Sequence, residues 1–164
     1  MKVRDLMTAA PRTCAPDSTL ADAVLAMDRA RCGVLPVVDC GRTIGMLTDR
    51  DVCLALARED GRPSEVRVDR AMTRDVHYLK EDDTHARALQ LMRRWRVRRL
   101  PVLAADGSLR GIVTLDDLAL RTTPTGEDGP TREELVTTFQ AICERQRLAP
   151  PPRPRGPIGP SLRY

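Results

Sequence analysis

Apolar positions recur along the chain with two different spacings, and each spacing predicts one type of secondary structure. Recurrence every three or four residues predicts an amphipathic helix, whereas short runs rich in β-branched residues predict buried strands. The first helical stripe consists of Leu20, Ala23, Val24 and Met27. The run VLPVV at 34–38 predicts a strand that follows this helix.

The order strand, helix, strand, strand, helix is predicted twice. The first copy has a strand at 13–15, a helix from residue 18, strands at 34–38 and 43–48, and a helix at 49–58. The second copy has a strand at 76–79, a helix from residue 83 with the stripe Ala88, Leu91, Met92 and Trp95, strands at 100–103 and 109–114, and a helix at 115–121. We expect Pro36 and Pro101 at a strand start or edge, because proline lacks an N–H.

Identical residues recur at a constant offset between the two copies. The offset is 65 residues and becomes 66 after one extra residue in the second copy. An ordered series of matches over about 50 residues indicates a tandem duplication. The pairs include Val3 and Val68, Met7 and Met72, Thr8 and Thr73, Thr48 and Thr114, and Asp51 and Asp117. Because one copy is too small to bury its sheet, we expect the two copies to pack together.

A further amphipathic helix is predicted after the second copy. It begins with the capping box TREE and carries an apolar stripe. This stripe must pack against the second repeat or against a partner subunit, and the sequence leaves both open. The last residues are dense in proline and glycine, which predicts a disordered or extended tail. The stripe is Leu135, Phe139, Ile142 and Cys143. The predicted organisation is repeat 1 at 1–60, repeat 2 at 61–123, the helix at 131–147 and the tail at 148–164.

Charge and composition argue against several classes of function. All 23 acidic residues and 24 of the 27 basic residues lie in the first 149 positions, so this part is nearly neutral. A general nucleic-acid binder needs a concentrated basic field and aromatic stacking surfaces, but the chain has one Trp, one Phe and two Tyr. No apolar stretch reaches the length of about 18 residues that a membrane span needs. The N-terminus lacks a signal-peptide core, and we expect a cytoplasmic protein.

Histidine, tryptophan and cysteine offer little chemistry. His77 and His85 have no nucleophile or metal partner at an interpretable spacing, so no enzyme is expected, and His85 is placed at the surface. Trp95 is expected in the core. The five cysteines are odd in number and lack a C-x-x-C spacing, which favours free thiols in a reducing compartment. Cys14 lies in the first predicted strand of repeat 1 and Cys40 follows the neighbouring strand, and a disulfide between them is a hypothesis that requires Cα atoms within about 7 Å.

The repeated motifs V-x-x-h-M-T, T-x-x-x-A-x-x-x-M, h-P-V and G-x-h-T-x-x-D, where h is apolar, resemble the cystathionine β-synthase (CBS) domain. The resemblance covers residues 3–121, and the tandem copies resemble the Bateman module of short stand-alone bacterial hypoxic-response-type proteins. It implies an α+β fold of two β-α-β-β-α repeats related by pseudo-two-fold symmetry. It further implies a regulatory homodimer that binds AMP, ADP, ATP, S-adenosylmethionine or NAD between the repeats and signals to an unknown protein.

The motif T-x-x-D gives the candidate site residues. Thr48 with Asp51, and Thr114 with Asp117, place a hydroxyl at a strand end and a carboxylate one helical turn later. The helix start can receive a phosphate and the carboxylate can accept from ribose hydroxyls. The same spacing is also a capping box, and both interpretations remain open.

Two arginines complete the predicted site. The resemblance assigns the phosphate to Arg98 and Arg99, and a solvated basic stripe is the alternative. Gly33 and Val34 stand at the matching positions of the first repeat, so we expect two unequal sites.

Two functional hypotheses follow from the sequence. The first is a sensor of an adenosine-containing ligand. The second is a ligand-independent stress-response or interaction protein that uses its C-terminal helix and tail. Removal of residues 123–164 is expected to spare ligand binding under the first hypothesis and to abolish partner binding under the second.

Overall fold

A computed structural model describes residues 1–59, 61–125 and 128–148. The predicted tail from residue 149 onwards lies outside the described residues. The helices are α1 Leu20–Ala30, α2 Asp49–Arg58, α3 Val68–Ala71, α4 His85–Trp95, α5 Leu115–Ala119 and α6 Arg132–Leu148. The strands are β1 Thr8–Ala9, β2 Val34–Asp39, β3 Arg42–Thr48, β4 Arg99–Leu103 and β5 Leu109–Thr114, and a 3-10 turn spans Val3–Asp5. The predicted α+β architecture of two repeats is confirmed. Among the helices of the described residues, none combines the length and apolar character that a membrane crossing requires.

The first strand predicted for each repeat is reduced to a single bridging residue. The Cys14 N–H donates to the Pro36 carbonyl oxygen (3.1 Å), and the Val38 N–H donates to the Cys14 carbonyl oxygen (3.0 Å). Pairing stops there because Pro16 and Pro36 lack the N–H groups that would extend it in either direction. Leu79 forms the equivalent parallel bridge to β4.

Both strand prolines lie inside a strand rather than at its start, and both strands are edge strands of their sheets, as one of the two expectations had it. Pro36 is the third residue of β2 and Pro101 is the third residue of β4. Each strand is hydrogen-bonded to a hairpin partner on one side and to the single bridging residue on the other. The missing proline N–H faces the side where pairing is already minimal, and it therefore breaks no hairpin bond.

Each sheet is completed by a segment near the start of the other repeat. The strand β1, at the N-terminus, pairs antiparallel with β5 of the second repeat, with Thr8 opposite Ile112. Thr73, near the start of the second repeat, exchanges two backbone hydrogen bonds of 2.9 Å with Met46 in β3 of the first repeat. The two repeats are therefore joined by reciprocal backbone pairing.

The same exchange is seen in the hydrophobic cores. Val3 and Leu6 are buried in the core of the second repeat, together with Leu89, Leu100 and Val113. The first-repeat core is completed by three buried residues that follow it in sequence, Val66, Val68 and Met72. Because Val3 and Val68 are fully buried, separating the repeats would expose apolar side chains from both cores.

Three side chains differ from the sequence expectation. Trp95 is 40% exposed instead of lying in the core, because α4 ends there and its ring stacks on His77 with 3.7 Å between ring centroids. His85 is buried instead of lying at the surface, because the N-terminal segment covers it and its Nδ1 lies 3.3 Å from the Met1 carbonyl oxygen. Val24 is 43% exposed although it belongs to the apolar stripe of α1.

The helix α6 packs on the second repeat, one of the two surfaces expected for it. Ile142 is buried in the second core, and Leu135 is partly buried against it. Thr138 is fully buried, donates to the Glu134 carbonyl oxygen (2.7 Å) and accepts from Arg93 (3.3 Å). The predicted capping box is formed, and the Thr131 backbone N–H lowers the pKa of the Glu134 carboxyl. The helix therefore has a defined place on this repeat.

The close contact between β1 and β5 predicts that Gly111→Ala destabilises the protein. A Cβ at Gly111 would lie 2.9 Å from the Thr8 carbonyl oxygen and 2.6 Å from Met7 Sδ. The backbone of β1 cannot move away without loss of its pairing. We expect a decrease of about 1–3 kcal/mol in the free energy of unfolding, measured by urea denaturation.

The matched control is Gly33→Ala. There the added Cβ meets only the flexible carboxylate of Asp49, at 2.7 Å. Its free energy of unfolding should change much less. Equal values for the two variants would contradict the reciprocal pairing as a structural constraint.

Candidate functional site

The two T-x-x-D motifs lie where the last strand of each repeat turns into a helix. Thr48 is the N-cap of α2 and Thr114 is the N-cap of α5. The Thr114 hydroxyl donates to Asp117 Oδ2 (2.7 Å) and accepts from the Asp117 backbone N–H (3.1 Å). Asp51 makes the same two contacts with Thr48, at 2.7 and 3.2 Å. Both motifs are therefore capping boxes.

The capping box leaves part of each motif available to a ligand. Each threonine hydroxyl has a single proton and directs it to its own aspartate, so this hydroxyl is not a free donor for a phosphate. Each aspartate uses Oδ2 for the cap. In the part of the chain that the structure describes, the Oδ1 atoms of Asp51 and Asp117 have no hydrogen-bond partner. This oxygen can accept from a hydroxyl of a ligand.

A cavity of about 370 Å³ lies beside the second motif. Its volume falls at the lower end of the range of about 300–1,000 Å³ that is typical of ligand pockets. The lining comes from the start of β4, the junction of β5 with α5, and α6. The lining residues are Arg98, Arg99, Thr114, Leu115, Asp116, Ala119, Leu135, Val136 and Phe139. Three of the predicted site residues, Arg98, Arg99 and Thr114, are thus brought together.

Other predicted site residues lie outside this cavity. Asp117 is adjacent to the lining residue Asp116 but does not line the cavity itself. Thr48 and Asp51 belong to the first repeat, which contributes no lining residue. The cavity is an open pocket lined by the second repeat and α6, whereas the resemblance implied a cleft between the repeats.

The cavity carries an excess of positive charge. Among the described residues, no carboxylate lies within ion-pair distance of the Arg98 or Arg99 guanidinium. Arg98 instead lies over the ring of Phe139, with its Cζ 5.6 Å from the ring centroid. Asp116 is the single acidic lining residue against these two arginines. Two guanidinium groups without an acidic partner are suited to a phosphate or carboxylate of a ligand.

The corresponding region of the first repeat has different chemistry. Gly33 stands where the second repeat has Arg98, and Asp49 stands where it has Leu115. The Asp49 carboxylate occupies the space next to Gly33, since a Cβ on that glycine would lie 2.7 Å from Oδ2. A carboxylate thus replaces a guanidinium at this end of the first repeat, and it disfavours a phosphate there.

Sequence reasoning missed the contribution of α6 to the cavity. Leu135 and Phe139 were identified as members of an apolar stripe, but only the folded chain brings them next to Arg98. Val136, which is 56% exposed, was not singled out at all. No local sequence pattern predicts that α6 lies beside the T-x-x-D motif, because a connecting segment separates the two in the sequence.

The cysteines are free thiols in the structure. Burial raises the pKa of the Cys14 thiol to about 11. A hydrogen bond to Asp39 and the charge of that carboxylate raise the pKa of the Cys40 thiol. Both shifts disfavour the thiolate that disulfide formation requires. The Cys14–Cys40 disulfide is not formed here and stays a prediction.

Comparison with known protein families identifies the same domain in both repeats. Residues 3–58 and 65–121 each match the CBS domain. The CBS domain-containing protein YhcV of Bacillus subtilis is 36% identical over 118 residues, which are 72% of this chain and 83% of YhcV.

Two solved structures share the fold. The crystal structure of Hypoxic Response Protein I with two coordinated zinc ions has a TM-score of 0.68 and 29% identity, and the match covers 75% of this chain and 100% of that one. The CBS domain pair of protein MJ0100, in complex with 5′-methylthioadenosine and S-adenosyl-L-methionine, has a TM-score of 0.66 and 25% identity over 73% of this chain and 94% of that one. Among the described residues of the present chain, no group of three His, Cys, Asp or Glu side chains could hold a metal ion.

The raised pKa of Cys14 predicts slow alkylation of this thiol. At pH 8 only about one Cys14 side chain in a thousand would be a thiolate. We expect iodoacetamide to modify Cys14 far more slowly than the exposed Cys53, as measured by mass spectrometry of digested protein over time. Equal rates would contradict the burial of Cys14. Peptide mapping without reductant tests the disulfide separately, and five free thiols would rule it out.

Proposed function

Because the chain belongs to the CBS domain family, we propose that it is a regulatory module that binds an adenosine-containing ligand in the cavity beside α6. The observation that supports this proposal is the pair of arginines, Arg98 and Arg99, that face an apolar wall without an acidic partner. The module acts by binding rather than by catalysis. Its proposed target is another protein.

The cavity lining, together with the neighbouring Asp117 outside it, matches the three parts of a nucleotide. The phosphate pairs with Arg98 and Arg99, which offer planar forks of donors. A ribose hydroxyl donates to the free Oδ1 of Asp117. The adenine packs on the apolar side chains that α5 and α6 contribute. The adenosine ligands of the MJ0100 CBS domain pair support this ligand class.

Cavity size favours small members of the ligand class. A volume of about 370 Å³ suits AMP or ADP better than ATP, S-adenosylmethionine or NAD. These larger ligands require a larger pocket volume within the range that is typical of ligand pockets. We propose one high-affinity site per chain. The first repeat, with Thr48 and Asp51, is not expected to bind a nucleotide, because Asp49 repels a phosphate there.

A homodimer in the cytoplasm completes the proposal. Val24 and Leu25 on α1 are 43% and 52% exposed, whereas Leu89, the counterpart of Val24 on α4, is fully buried in the core to which α6 contributes. A second copy of the chain would cover the equivalent apolar face of the first repeat. Five free cysteines fit a reducing compartment.

The arrangement predicts that Arg99→Ala and Asp117→Ala each weaken nucleotide binding. Loss of one charge-assisted hydrogen bond, of about 1.5–3 kcal/mol, corresponds to roughly a 10- to 100-fold higher Kd. The measurement is calorimetric titration of the wild-type protein and both variants with AMP, ADP, ATP, S-adenosylmethionine and NAD. The wild type is expected to bind one equivalent of AMP or ADP per chain.

Two variants control for charge and stability. Arg29→Ala removes an exposed positive charge on α1 without contact with the cavity. Asp22→Ala removes the carboxylate of the Thr19–Asp22 capping box, so it should cost about as much stability as Asp117→Ala, near 1 kcal/mol. Both controls should retain wild-type affinity. A wild-type protein that ignores all five ligands would contradict the sensor and favour a ligand-independent interaction protein.

A further inference from the structure

We propose that α6 is part of the ligand site, with Phe139 as the residue that recognises the aromatic base. This inference rests on the proposed function and adds the element that reads the base. It also changes the expectation that binding survives removal of residues 123–164, because three of the nine lining residues belong to α6.

Burial along α6 separates its structural residues from its cavity residues. Ile142 is 5% exposed and Thr138 is fully buried, so these two side chains attach the helix to the second repeat. Phe139 is 47% exposed and Val136 is 56% exposed, and both line the cavity. Protein side chains therefore hold the helix in place but leave an apolar surface uncovered inside the cavity. A ligand with an apolar face would remove that surface from water.

The charges opposite this surface define the ligand further. Arg98 lies over the Phe139 ring at 5.6 Å from its centroid, and Arg99 lines the same cavity. A ligand that satisfies both parts needs a flat apolar ring and an anionic group within one small molecule. A mononucleotide has both, and its base gains stacking energy on an aromatic side chain. Ribose 5-phosphate has the anionic group alone.

The test compares AMP with ribose 5-phosphate on Phe139→Ala. Stacking of about 1–3 kcal/mol per base predicts that the Kd for AMP increases at least about fivefold, measured by calorimetry. The Kd for ribose 5-phosphate should stay unchanged, because it has no base to stack. Phe139→Tyr keeps the ring and should bind AMP as the wild type does.

Leu120→Ala is the matched control. Leu120 is an apolar side chain that is 84% exposed and does not line the cavity, so its loss should not affect the Kd for AMP. Thermal unfolding of each variant tests whether the fold is retained.

The outcomes separate this inference from the proposed function. If the wild-type protein binds AMP and Phe139→Ala binds it equally well, the role of Phe139 is wrong and the nucleotide site stands. An equal loss of affinity for AMP and ribose 5-phosphate would also overturn base recognition. If the wild-type protein binds neither ligand, the proposed function itself fails.

Discussion

Reciprocal pairing between the two repeats is the constraint on which the rest of the structure depends. Met46 and Thr73 exchange backbone hydrogen bonds, and Thr8 pairs with Ile112 at the equivalent place. These contacts require a glycine on the receiving strand, since a Cβ at Gly111 would lie 2.9 Å from the Thr8 carbonyl oxygen. Each core is completed by residues from outside its own repeat. The duplicated chain therefore folds as one body, and the starts of α2 and α5 are fixed by the strands they follow.

On this common frame the two repeats have diverged in chemistry. The capping boxes at Thr48 and Thr114 are nearly identical in geometry, so the frame itself does not distinguish the two ends. The difference arises from Gly33 against Arg98 and from the presence of α6 on the second repeat alone. A cavity of about 370 Å³ with two arginines is the result on that side. Duplication supplied the scaffold, and residue differences together with α6 supplied the asymmetry.

The sequence was sufficient for features that depend on local patterns, but not for those that depend on long-range contact. The offset of 65 residues revealed the repeats, and T-x-x-D revealed the helix caps. The exchange of segments could not be predicted, because the sequence pattern places Val3 and Val68 each in its own repeat. His85 was expected at the surface, because the N-terminus that covers it lies 84 positions away in the sequence. The position of α6 beside Arg98 also depends on contact between distant segments.

A crystal structure of the protein grown with saturating AMP shows whether the second repeat and α6 form a nucleotide site. We expect one AMP per chain, with its phosphate within hydrogen-bond distance of Arg98 or Arg99 and its adenine against Phe139. The corresponding region of the first repeat, beside Asp49, should hold no nucleotide. A nucleotide bound at Thr48 and Asp51 instead, or a second-repeat cavity that stays empty at saturating AMP, would show that the cavity beside α6 is not the nucleotide site.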